Sequence, residues 1–258
     1  MFWIHLLLLP VFLLLIPQPT PDIPPGDTLA AACRVTVDGL AGLTADLQLP
    51  EHLLQPDAVK TDADFDVNAY LTVLDHLSMR PGYVLDYVYQ YDGLGGFPVI
   101  YARQADAPAY QTLADYHAQH SGEAAATAFM EYIEPDGTAE SYLQLAVLRV
   151  MAGQFYLYWH ANYNDRMIVC DGVSLETLLT QPNTFGSAIP EDVQQAARDL
   201  DTTPRFEVGR DSVKVELLTF TKWGGFGRLT YKISQDAPHR FIMDDVEALV
   251  PYHCGVVF

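Results

Sequence analysis

Between Tyr83 and residue 103 the chain carries a pattern that a β-hairpin satisfies and a helix does not. Tyr83, Leu85, Tyr87, Tyr89 and Tyr91 occupy every second position, Asp92-Gly93-Leu94-Gly95-Gly96 comes next, and an apolar run returns from Phe97. A period of two places the five alternate side chains on one face of a strand. A turn rich in glycine supplies backbone conformations that other residues resist. Pro98 lacks an amide donor, so the return strand is expected at a sheet edge or with a late start.

The C-terminal third repeats this logic. Residues 213–222 read as a strand, Gly224-Gly225-Phe226-Gly227 as a turn, and residues 228–234, 241–250 and the closing run as further strands. Residues 141–151 and 155–163 are apolar on both faces, which suits buried strands, and residues 166–170 suit another. Arg34-Val35-Thr36-Val37 alternates like a short strand. Helices are expected over 67–79 behind an Asp66 cap, over 109–120, over 174–179 behind a Ser174 cap, and from Pro190 to about Leu200. Residues 126–133 fit either state. Strand pairs on tight turns dominate, helices fall between them, and no regular alternation of strands with crossover helices appears. The expected class is therefore α+β, a mainly antiparallel sheet built of hairpins with helices packed on it.

Hydropathy divides the chain into three segments. Residues 1–17 are apolar except at His5, Pro10 and the closing Pro17, too short for a usual spanning helix and close to the core of a signal peptide, so they read as a signal peptide or membrane anchor. No Lys or Arg precedes the apolar run, and small residues come only at Ala30-Ala31-Ala32. Cys33 is next in the chain, which leaves lipidation at Cys33 as one fate of the leader. Residues 18–33 read as a Pro/Ala-rich linker, and residues 34–258 as one globular domain. The expected location is extracytoplasmic, secreted or anchored, with membrane contact only through the N-terminal segment.

Charge narrows the partners. The chain has 33 Asp and Glu against 14 Lys and Arg, a formal charge of −19. Such a surface repels phosphate backbones, so nucleic acid is excluded as a partner, while a small molecule, a glycan or a protein remains open. No cofactor motif is present. In an oxidising compartment the three cysteines favour one bridge. Cys170 and Cys254 both sit in strand-like apolar runs, so their pairing is preferred, with buried free thiols as the alternative.

The candidate sites are few. Asp62, Asp64, Asp66 and Asn68 recur at the spacing of a calcium loop, but the glycine and the distal glutamate of that loop are replaced by Val67 and Val73, which leaves an acidic loop and no metal site. His117 and His120 lack the spacing and glutamate of a zinc helix. The glycine-rich turns lie between strands and lack a phosphate loop's lysine. Neither a nucleophile elbow nor a Cys–His pair is found. On a strand over 155–163, alternation would put Tyr156, Tyr158, His160 and Asn162 on one polar face able to stack on a sugar or hold a polar ligand. The functional expectation is an exported, non-enzymatic binding or structural domain. The alternative is an extracytoplasmic hydrolase, with glycans as a candidate substrate class, which needs two facing carboxylates.

Overall fold

The computed structural model describes residues 24–120, 123–159, 165–181 and 188–255. The fold is α+β, with antiparallel hairpins and packed helices. Helix α1 (Gly26–Thr44) leads, followed by the short 3-10 turn Glu51–Leu53 and the 3-10 helix Val67–Thr72. Then come β1 (Leu77–Met79), β2 (Tyr83–Tyr91), β3 (Gly95–Gln104), α2 (Leu113–Gln119), the 3-10 segment Glu123–Tyr132, β4 (Ile133–Pro135) and α3 (Ala139–Met151). The remainder is β5 (Tyr158–Trp159), β6 (Met167–Val169), α4 (Gly172–Thr180), α5 (Glu191–Arg198), β7 (Arg205–Val208), β8 (Ser212–Thr221), β9 (Gly225–Ser234) and β10 (Phe241–Val250).

These strands form three antiparallel sheets: β1-β4, β2-β3-β5, and β10-β9-β8-β6 with β7 also on β8. The tyrosine hairpin forms as expected, with Tyr83 opposite Gln104 and Tyr91 opposite Gly96, but Gly95 and Gly96, read as part of the turn, belong to the return strand. The Asp92 carboxylate accepts from the amides of Leu94 and Gly95 and so closes the turn. Among the described residues β5 meets β3 only at Gly95 and Gly96, so Pro98 sits where β3 has left that neighbour. Gly96 is required for a packing reason, because a Cβ there would lie 2.5 Å from the Tyr89 hydroxyl.

The central strands of the five-stranded sheet, β8 and β9, carry core side chains on both faces, whereas most of the edge strand β10 is exposed. On one face Val213, Val215, Leu217, Leu229, Tyr231 and Ile233 join the main core, which α1 and α3 complete. On the other, Leu218, Phe220 and Phe226 pack with Leu175, Leu179 and Ala197 of α4 and α5. Alternation along β8 and β9 sends successive side chains to the two cores.

Several local expectations are overturned. Residues 141–151 are helical, because an apolar run buried all round satisfies a helix as well as a strand. The Thr138 hydroxyl caps α3 at the Ser141 amide, and every residue from Ser141 to Leu148 is buried. Residues 34–37, read as a strand, and 26–33, read as the end of the linker, together belong to α1, whose Leu29 and Cys33 enter the main core. The helix expected over 67–79 is only a 3-10 helix to Thr72, still capped by Asp66, because Leu77–Met79 pairs with β4 instead. The α4 cap is Asp171, which exchanges hydrogen bonds with Ser174 in a capping box.

The disulfide is also corrected. Cys33 bridges Cys170, and Cys254 is free. Strand logic pointed to Cys254, but α1 brings Cys33 against the end of β6, a juxtaposition across 137 residues that local pattern does not carry. Arg34 donates to Asp171 at 2.7 Å beside the bridge. In the folded chain the Cys33 sulfur is bonded to Cys170 and fully buried, so this bridge and a lipid on Cys33 exclude each other. Residues 1–17 lie outside the described residues, and among those described no helix is long and apolar enough to cross a membrane.

Candidate ligand-binding cleft

A cavity of about 580 Å³ lies between the three-stranded and five-stranded sheets, a size ordinary for a small-molecule site. Phe97, Pro98 and Ile100 of β3, with Phe129 and Met130 of the 3-10 segment packed on it, make an apolar wall. Across from them stand Arg149 at the end of α3, Gln154, Arg166 just before β6, Tyr231 of β9 and Asp244 of β10. The Gln154 amide holds this side together by donating to the carbonyls of Val150 and Arg166.

The two arginines differ in how they are satisfied. Arg149 lies in the last turn of α3, where a cation suits the helix dipole. Its Nη2 is 3.2 Å from an Asp244 oxygen, and its guanidinium lies over the rings of Phe241 and Tyr231, 4.8 and 5.9 Å from their centres. Its Nε is buried with no acceptor among the described residues. Arg166 is half-buried, and among the described residues its guanidinium has no hydrogen bond and no ion pair. Burial pushes the Tyr231 hydroxyl up to about 12, with Asp244 adding to the rise and both guanidiniums opposing it.

A second cavity of about 300 Å³ shares Gln154 with the first and is lined by Asp165, Lys222, Gln181 and Tyr252 among apolar side chains. Asp165 Oδ2 accepts from the Lys222 amide at 3.4 Å and lies 3.9 Å from its ammonium. Its Oδ1 is buried without a hydrogen bond among the described residues. Burial holds this carboxyl above the usual carboxylate range, although Lys222 pulls the other way.

Chemically, each cavity has one carboxylate, Asp244 or Asp165, and no Ser, Cys or His among its described lining residues. The arrangement is suited to holding a ligand. A facing carboxylate pair is not found among those residues.

The polar face expected on residues 155–163 is not assembled by the described part of that segment. Tyr156 has a left-handed backbone (φ 52°), which breaks the alternation on which the expectation rested. Its hydroxyl accepts from the Phe65 amide, its carbonyl accepts from the Tyr89 hydroxyl at 2.6 Å, and it is buried. Tyr158 is half-buried in β5 and meets the Tyr91 ring edge-on. His160 and Asn162 lie outside the described residues.

The remaining candidates have local roles. The Asp64 carboxylate takes hydrogen bonds from the Thr61 amide and hydroxyl and from His52, and Asp66 takes one from the Asn68 amide. Asp62 joins neither, and no group of three or more His, Cys, Asp or Glu among the described residues is placed to hold a metal ion. His120 stacks on Tyr116 at the end of α2. The cleft arginines belong to no sequence motif, although Arg149 and Arg166 bracket the aromatic run of residues 155–163. Their one signal in the sequence is scarcity, since cations are few in this chain. Comparison with protein families, characterised proteins and solved structures finds no match for the chain.

Proposed function

We propose that this protein is an exported, non-enzymatic binding domain whose ligand is a small organic anion held in the cleft between the sheets. The observation that carries the reading is Arg166. Apart from Arg166, Arg228 and Lys232, every Lys and Arg lies within 4.0 Å of a carboxylate. Lys232 is exposed to water, and Arg228 donates to the Asp201 carbonyl at 2.6 Å. Arg166 is half-buried in a cavity and, among the described residues, lacks a counter-charge in a chain with an excess of carboxylates. Partly burying a guanidinium without a partner is costly, and an anionic ligand removes that cost.

Export is supported by the apolar N-terminal segment and by the Cys33–Cys170 bridge, which is compatible with an extracellular location. Separating the protein from cells on a non-reducing gel, with thiol alkylation before lysis, tests it. A bridged protein in the extracytoplasmic fraction is expected, and a reduced cytoplasmic protein overturns the location. For binding, a thermal-shift panel of small carboxylates, neutral sugars and organic cations should give stabilisation by carboxylates alone. Loss of that response in Arg166→Gln is the expected control, and a response to sugars or cations instead would sink the reading.

A further inference from the structure

The two sides of the cleft differ in chemistry, and the difference constrains the ligand more than charge alone does. On the side of Phe97, Pro98, Ile100, Phe129 and Met130 the Thr127 hydroxyl is the one strong side-chain hydrogen-bonding group among the described lining residues, so a sugar lying there would leave most of its hydroxyls unpaired. Phe97 and Val246 line the cavity yet remain 38% and 43% exposed, which leaves apolar surface wet at its rim. The polar side carries Arg149, Arg166 and Asp244, and since Asp244 already answers Arg149, the surplus there is a single positive charge. That surplus matches a monoanion. A dianion would leave the site itself with an uncompensated negative charge, in a chain already at −19.

We propose that the ligand is a monomeric amphiphile with one carboxylate head and an unbranched apolar tail, a medium-chain fatty acid in chemical class. Arg166 takes the carboxylate. The tail lies along Phe97, Pro98 and Ile100 and against Phe129 and Met130, covering the wet apolar rim. This inference rests on the anion-binding reading and adds the apolar chain attached to the anion.

The test is calorimetric titration of the full chain with dodecanoate, its neutral primary amide and acetate, all below micelle-forming concentrations. Dodecanoate is expected to bind, the amide about tenfold more weakly or worse, and acetate not measurably, since a charge-assisted hydrogen bond is worth about that factor or more. Arg166→Gln should remove the preference for acid over amide while leaving amide binding in place. Phe97→Ser should weaken acid and amide alike, and a melting curve for each variant confirms that it is folded. Amide binding equal to acid binding, or an acid preference that survives Arg166→Gln, overturns the head-group assignment. Acetate binding as tightly as dodecanoate, lost in Arg166→Gln, overturns the tail while leaving the anion-binding reading intact. No heat from any of the three overturns both.

Discussion

Two charge sites in this protein, one buried and one half-buried, are built in opposite ways. Asp86, in the β2–β3 sheet, is 3% exposed and lies between two cations: Lys60 bonds one carboxylate oxygen and Arg103 Nε the other at 2.8 Å. Arg103 also donates to the carbonyl of Ala107, and the Asp86 carboxylate accepts from the Tyr87 amide. In the cleft the order is reversed. Arg149 shares one half-exposed carboxylate, and Arg166 has none among the described residues. A carboxylate completed by its own chain is part of the scaffold. A half-buried cation left incomplete among the described residues is, on the function proposed above, where a ligand's charge would go.

The contrast is tested most severely at Asp86. Asp86→Asn leaves Lys60 and Arg103 without their counter-charge, and we expect it to cost about 3–5 kcal/mol in chemical denaturation. A loss under about 1 kcal/mol would mean that the site is solvated and the contrast is wrong.

Next in size is the bridge. Cys170 lies just past β6, the strand that Arg166 leads into, so the disulfide ties one wall of the cleft to α1. The double variant Cys33→Ala, Cys170→Ala should lose about 2–4 kcal/mol of stability. Ligand affinity in the cleft should fall with it. Affinity that is untouched would show that the wall is fixed by the sheet alone.

An intermediate case is His76. Its Nδ1 is 2.7 Å from an Asp136 oxygen and its Nε2 is 3.3 Å from Glu140, so the ring is completed by carboxylates, but near the surface. The hydrogen bond to Asp136 raises its pKa, burial opposes this, and the charges of Asp136, Asp75 and Glu140 add to the rise. The protonated ring is thus favoured by folding. Its contribution is fully present below about pH 6.5, the unperturbed value, and is lost as pH rises through the higher folded value. Melting temperature should therefore decline over that interval in the native chain, and His76→Gln should flatten the decline. An unchanged profile in the variant would assign the pH dependence to other groups.

The smallest effects belong to the cleft itself. Arg149→Gln removes the Asp244 pair and the ring contacts and should cost about 0.5–1.5 kcal/mol. Arg166→Gln should lie within about 0.5 kcal/mol of the native chain, since among the described residues no partner is lost. A loss of about 2 kcal/mol or more at Arg166 would show that it is structural, and the contrast with Asp86 would disappear.

The sequence by itself determined the hairpins. In β2–β3 and β8–β9 the pairing partners are adjacent in the chain, so alternation and glycine turns are enough to state both the strands and their order. It also determined the Asp66 cap and the acidic first turn of α5, which depend on a few neighbouring residues. Tertiary structure decided the rest. Whether residues 141–151 are helix or strand depends on their surroundings, because an apolar run buried on every side carries no period to read. The partner of Cys170 depends on where α1 docks, and the left-handed turn at Tyr156 on the hydrogen bonds that Phe65 and Tyr89 make to it from far along the chain. The cleft is the extreme case. Phe97, Arg149, Arg166, Tyr231 and Asp244 come from five separate stretches, and only packing one sheet beside another makes them the walls of a single space. Local pattern reports what each residue prefers along the chain. A site assembled from distant segments is fixed by the packing of the whole chain, which no local pattern records.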